Sequence, residues 1–402
     1  MTQISSARTP LRLQRVVTSI GYFAGFVALG LAYAALGPTL ADLASNVSTD
    51  LTRISYVLSA RGLGYLVGSL VGGWLYDRSK GNPVMAAALA IAAVIMVAIP
   101  LVSALWLLVG VVFLFGVFLG AVDVGGNTLL VWLHRDEVDP YMNALHFFFG
   151  VGAFLSPLVI AQAVSVTAEI VWGYWILAIL LLPAAAFLAR RPSPSAMADE
   201  RGGSQPTGGD GQLGLVLLIA VFFFLYVGAE ASFGGWIATY ARTTGLGDAT
   251  TAAYLTSAFW GAVTVGRLLA VPLSARYAPR QVLVADLALC LISALILVIW
   301  VGQPVATWVG AIGAGLGLAS IFPTALSFAE KRLRITGTVT SLFFVGASLG
   351  GMSIPWLIGQ LFENVGARVM VLVIAAAILL DILVFALILV STRKHSREEG
   401  HA

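Results

Sequence analysis

The chain has 402 residues, of which 59% are hydrophobic and 10% charged, whereas a soluble globular domain carries about a quarter charged residues. That composition excludes a water-soluble globule and points to an all-α membrane protein: twelve helices of about 20 residues use about 240 residues, and the apolar share of the chain is of that size. The formal charge of +3 gives no footing for nucleic-acid binding, since a basic balance in a membrane protein collects in cytoplasmic Lys and Arg, and the one cysteine, Cys290, excludes an internal disulfide or a cysteine metal cluster.

In chain order, the first fifteen residues are polar and carry Arg8, Arg12 and Arg15. The apolar run after them is too long for a signal peptide and reads as an uncleaved first span. Apolar segments lie near 17 to 40, 54 to 76, 82 to 102, 105 to 132, 141 to 165 and 171 to 189. Six more lie near 213 to 240, 251 to 274, 281 to 301, 305 to 329, 337 to 361 and 368 to 391. Between the sets, residues 190 to 212 hold Arg190, Arg191, three prolines and the run GGSQPTGGDG, a flexible linker by composition. The expected organisation is a six-helix bundle over 1 to 189, a cytoplasmic linker over 190 to 212 and a second bundle over 213 to 402.

With a cytoplasmic N-terminus, 17 of the 22 basic residues fall inside, two within spans and only Arg53, Arg242 and Arg368 outside. The charge bias predicts a multi-pass cell-membrane protein with both termini in the cytoplasm.

One offset, 198 residues, relates the halves. Ser59, Ala60, Gly68 and Arg78 match Ser257, Ala258, Gly266 and Arg276; Gly30 and Gly37 match Gly228 and Gly235; Gly152, Pro157, Ile160 and Gln162 match Gly350, Pro355, Ile358 and Gln360. A parallel repeat of six spans predicts a transporter with its site between the halves. No nucleophile elbow, phosphate loop or His-Glu metal spacing is present, so the sequence does not read as an enzyme.

This duplicated plan resembles the major facilitator superfamily, whose Gly-x-x-x-Asp-Arg loop motif is matched by Gly73 to Arg78. Asp77 and Arg78 at a helix end can latch a neighbouring helix terminus, although Arg78 alone also serves as a positive-inside anchor. Four further blocks, Leu36-Gly37-Pro38-Thr39-Leu40-Ala41-Asp42-Leu43, Asp123-Val124-Gly125-Gly126-Asn127, Ala144 to Gly150, and Gly228 to Ile237, are similar to the sodium-dependent glucose transporter branch, a relative of the fucose permeases. The resemblance implies cation-coupled symport of a hexose-like sugar by a monomer, with sodium favoured over a proton. The first span carries no acid before Asp42, a departure from the fucose-permease pattern. It also implies that the first, fourth, seventh and tenth spans line the cavity, which favours Asp123 and Glu230 over the other in-span acids, Asp286 and Asp381.

Charges inside a bilayer need a partner, a cavity or a function. Asp123 and Asn127 lie one helical turn apart on one face, offering oxygens to a sodium ion, or a protonatable acid beside an amide for a sugar hydroxyl; an internal ion pair is the other reading of Asp123. Asn143, His146 and Phe147 open the fifth span at a similar depth, where a histidine serves as ligand or as helix-helix hydrogen bond. Glu230 precedes Gly234-Gly235-Trp236, and two glycines suggest a helix weakened or broken near the cavity. A glutamate and Trp236, with Trp260, suit the hydroxyls and apolar face of a sugar; interfacial anchoring is the alternative for Trp236. Gln162 and Gln360, equivalent under the repeat, either touch substrate or cap the outer mouth. Asp286 is expected to pair with a nearby base, and Arg61 and Arg267 with acids the sequence does not name. The rival transport reading is proton-coupled efflux of amphipathic molecules, against which stands Phe154-Leu155-Ser156-Pro157, with no glycine before the proline.

Overall fold

The computed structural model describes residues 4 to 194, 210 to 333 and 337 to 398. Among them every regular element is helical: α1 (Ile4–Tyr33), α2 (Leu36–Asn46), α3 (Leu51–Arg78), α4 (Gly81–Ala98), α5 (Leu105–His134), α6 (Asp139–Thr167), α7 (Ile170–Ala189), α8 (Asp210–Thr243), α9 (Ala249–Arg276), α10 (Pro279–Ile299), α11 (Pro304–Leu318), α12 (Ile321–Glu330), α13 (Gly337–Val365) and α14 (Arg368–Glu398). Twelve of these segments are long and apolar enough to cross a membrane, with α11 and α12 together forming the tenth. In lipid no water satisfies backbone groups, so uninterrupted helices are the stable answer to such runs. Their outward faces carry Val94, Trp106, Ile179, Leu383 and Leu387, each more than half exposed, as a lipid-facing surface requires. The run GGSQPTGGDG lies outside the described residues but for its last two.

Starts and stops follow local chemistry. Pro279 and Pro304 begin α10 and α11, where a missing N–H costs nothing, and Gly366, at φ +82°, turns α13 into α14. Two spans are interrupted, α1 from α2 at Ala34 and Ala35, and α11 from α12 at Ala319 and Ser320. Each interruption has a proline four residues beyond it, Pro38 after Ala34 and Pro323 after Ala319. Each proline offers no N–H to the carbonyl of the residue four before it, and its ring crowds that carbonyl.

The chain divides into two compact units, one of Met1–Ala35 with Leu63–Gly202, the other of Leu36–Gly62 with Gly203–Ala402. In the first, α1 packs along α6 and α7, and α4 along α7 and α5. In the second, α8 packs along α13 and α14, and α11 along α9 and α10. Equivalent glycines make equivalent crossings. A Cβ on Gly152 would stand 2.0 Å from the Val27 carbonyl oxygen, and one on Gly350, its partner at offset 198, 1.8 Å from that of Phe224. Only glycine admits such backbone contact.

Candidate functional site

The first unit holds a carboxyl cluster on α5. Asn127 Nδ2 donates to the Asp123 backbone oxygen at 2.9 Å and to Oδ1 at 3.2 Å, the pairing that a separation of four residues places on one helix face. A third member, Tyr65 of α3, hydrogen-bonds the Asp123 side chain. Its arrival depends on Gly120, where a Cβ would lie 2.1 Å from the Tyr65 carbonyl oxygen, so α3 and α5 touch one turn before Asp123. Gly125 and Gly126 of the same motif do not loosen the helix; they seat Tyr76 and the Phe26 ring, each 2.1 Å from a hypothetical Cβ.

Aromatic rings continue this cluster. The Tyr33 ring meets Tyr65 at 6.4 Å and Phe149 at 5.8 Å, both edge-on. Phe26, lodged on Gly126, meets His146 edge-on at 5.9 Å, which places His146 and the Asp123 motif about one phenyl ring. His146 and Asn143 are exposed on α6, and Asp123 and Asn127 are half-buried. Gln162 is exposed near the far end of α6. A carboxylate, an amide and a phenol beside aromatic faces can bind hydroxyls and stack an apolar ring face, and the same oxygens can meet a hard cation.

The second unit holds Glu230 on α8 with Arg267 of α9, Nη2 to Oε1 at 3.8 Å, which identifies an acid for Arg267. Tyr226, one turn before Glu230, donates to the Leu318 carbonyl oxygen at 3.2 Å, at the end of α11. The expected break at Gly234-Gly235 is not found: α8 runs unbroken from Asp210 to Thr243. The two glycines instead create close packing, with the Trp260 ring 2.7 Å from a Cβ on Gly234 and the Gly234 carbonyl oxygen 2.1 Å from one on Gly37.

Several expected substrate contacts are engaged elsewhere. Trp236 is fully buried, donates Nε1–H to the Pro355 carbonyl oxygen at 2.9 Å and stacks on Phe362 at 5.2 Å. Trp260 is buried against Phe259 and Gly234. Gln360 donates to the Thr52 carbonyl oxygen and the Ser55 hydroxyl, both at 3.2 Å, which ties α13 to α3 within the second unit. Asp286 accepts from the Ser320 hydroxyl rather than from a base. Asp77 and Arg78 are exposed, and Arg78 lies over the Trp74 ring of its own helix at 4.7 Å with Nη1 3.4 Å from the Trp74 carbonyl oxygen.

Two features escaped sequence reasoning. One is Tyr65, whose partner lies on another helix. The other is the Asp42 and Arg242 ion pair, 2.8 Å long, within the second unit. Opposite charges at the same end of two spans were the available signal.

Comparison with known proteins gives the family and the fold. Residues 22 to 355 match the family model described as Major Facilitator Superfamily. The chain is 31% identical to Sodium-dependent glucose transporter 1 of Homo sapiens over 84% of its own length and 72% of that protein's. It is 30% identical to Sodium-dependent glucose transporter 1A of Mus musculus, over 84% and 88%. Among solved structures, the nucleoside transporter NupG aligns over 94% of this chain and 99% of its own with a TM-score of 0.74 at 15% identity. A bacterial homologue of the human lysosomal transporter Spinster aligns over 94% and 97% with a TM-score of 0.73 at 12% identity.

Proposed function

The chain belongs to the major facilitator superfamily, in the branch of the sodium-dependent glucose transporter 1 proteins, and from that premise we propose that it carries a hexose-like sugar across the cell membrane together with a cation, by alternating access. Its fold and relatives are those of transporters and not of enzymes. The observation that carries the sugar reading is the Asp123, Asn127 and Tyr65 cluster beside the Tyr33 and Phe149 rings. These groups supply acceptors and donors for hydroxyls and a stacking face for the ring.

Sodium is the coupling ion in this reading, supported by the names of the relatives, and Asp123 is the residue that meets it; a proton on the same carboxyl is the alternative. A membrane potential of about 100 mV offers about 2.3 kcal/mol per charge, or about fifty-fold accumulation per cation. Basic-residue bias supports a topology with both termini cytoplasmic, and nothing in the mechanism requires more than one copy. Uptake of labelled glucose into proteoliposomes, under an imposed sodium gradient, a proton gradient or neither, tests the proposal. Sodium-dependent accumulation is expected, and absence of glucose flux under every gradient would overturn it.

A further inference from the structure

α14 buries one stripe of its surface, Val371, Ile374, Ile378, Asp381, Phe385 and Ile388, so a carboxyl occupies a place where the period of three and four calls for an apolar side chain. Asp381 is 2% exposed, and its Oδ1 has no hydrogen-bond partner. An ionised carboxylate so placed in a membrane interior is costly. A neutral carboxyl, which keeps its proton, avoids most of that cost.

The surroundings supply a second acid and a pliable backbone. α14 packs on α8, α10 and α13. The buried Cys290 thiol of α10 lies within electrostatic reach of Asp381, Asp286 and Glu230. Asp286, one turn before Cys290, accepts the hydroxyl of Ser320 at the Pro323 interruption between α11 and α12, and a Cβ on Gly317 of α11 would stand 2.7 Å from the Cys290 sulfur. From α8 come Tyr226 and Glu230, the latter with Arg267 of α9. The one titratable residue of α13 is Glu363, whose Oε1 accepts the Leu51 amide. A carboxyl buried with one oxygen lacking a hydrogen-bond partner is far less costly when it carries a proton than when it is charged.

We infer that Asp381 of α14 and Asp286 of α10, carried on two helices that pack together, are proton-binding carboxyls in the second unit, with Asp286 at the interruption of the tenth span. Release of a proton from Asp286 places a negative charge beside the Ser320 hydroxyl at that interruption, a location from which protonation can bias the helix geometry. The inferred role does not depend on which solute the protein carries.

Infrared spectra of the purified protein in lipid vesicles test this directly. The carbonyl stretch of protonated carboxyls should be present at neutral pH, lose intensity in Asp381→Asn, lose less in Asp286→Asn, and persist in Glu230→Gln. A spectrum of Asp381→Asn identical to wild type would overturn the inference. Should that variant fail to fold, dicyclohexylcarbodiimide, which modifies protonated carboxyls in apolar surroundings, is applied to the wild-type protein and the adducts are mapped by mass. Adduct on Asp381 or Asp286 is expected, and its absence from both while other carboxyls react would overturn the inference. Failure of glucose transport leaves both readouts unmoved, so the two proposals fail separately.

Discussion

Asp123 accepts from two groups that reach it by different routes, Asn127 along its own helix and Tyr65 from α3. The first was legible because a spacing of four is a local rule; the second was not, because it depends on which helices meet at Gly120. The partner of Trp236 is hidden for the same reason: a tryptophan beside glycines looks alike in sequence whatever its N–H meets, here the Pro355 carbonyl oxygen 119 residues away. Asp123→Asn is expected to abolish gradient-driven accumulation while sparing exchange of solute across the liposome. Tyr65→Phe removes one hydrogen bond worth about 1 kcal/mol, so driven uptake should fall about fivefold; unchanged uptake in both variants would remove the cluster from the mechanism. Outside the membrane, Asp248 caps α9 by accepting the Thr251 amide at 2.8 Å, and that bond holds its carboxyl below the usual carboxylate value. A depressed folded value means that the cap's contribution is complete above the unfolded carboxylate range and fades as pH falls through the lowered value. Asp248→Asn keeps a capping oxygen and should flatten the acid side of a melting-temperature profile; an unaltered profile would show that the cap is not what titrates.

At the scale of the element, prolines separate into two behaviours. Pro157, Pro183, Pro272 and Pro355 sit inside continuous helices, while Pro38 and Pro323 follow interruptions. Sequence alone treats these prolines alike, so the interruption of the tenth span is not legible in it; the break expected at Gly234-Gly235 rests on the glycines, which instead serve close packing. What a proline does to a membrane helix depends on the neighbours that take up the freed carbonyl. At the tenth span the Tyr226 hydroxyl takes the Leu318 oxygen and Ser320 turns to Asp286. Pro323→Ala restores a donor toward Ala319 and removes the ring from the helix interior, a change worth up to about 3 kcal/mol. The variant is expected to melt at higher temperature and turn over more slowly; faster turnover with lower stability would contradict the idea that the interruption is held against the helix's own preference. The glycine crossings were legible through the 198-residue offset, since Gly30 and Gly152 recur as Gly228 and Gly350, yet the sequence did not say that carbonyl contact is what they protect.

At the scale of the molecule, composition and period sufficed for twelve spans and for the repeat, because lipid leaves few alternatives to a helix. They did not reveal that Leu36–Gly62 joins Gly203–Ala402 as one compact unit. That association rests on tertiary contacts at large sequence separation: Asp42 with Arg242, Gln360 with Thr52 and Ser55, the Ser59 hydroxyl with the Met352 carbonyl oxygen at 3.1 Å, and the Gly37 contact with Gly234. The segment is flanked by the Ala34-Ala35 interruption on one side and Gly62, against Met352, on the other. Among these contacts the ion pair is the one that charge exchange can test without disturbing packing. Its side chains remain 29% and 26% exposed, so it is worth no more than about 1 kcal/mol, and a state that it favours changes in population by up to about fivefold. Asp42→Ala and Arg242→Ala should therefore each alter the initial rate of glucose uptake in the same direction by less than about fivefold. The exchanged pair, Asp42→Arg with Arg242→Asp, should return the rate toward wild type. Additive effects of the two alanine variants, with no recovery on exchange, would mean that the two charges act independently and that the apolar contacts alone hold the segment in place.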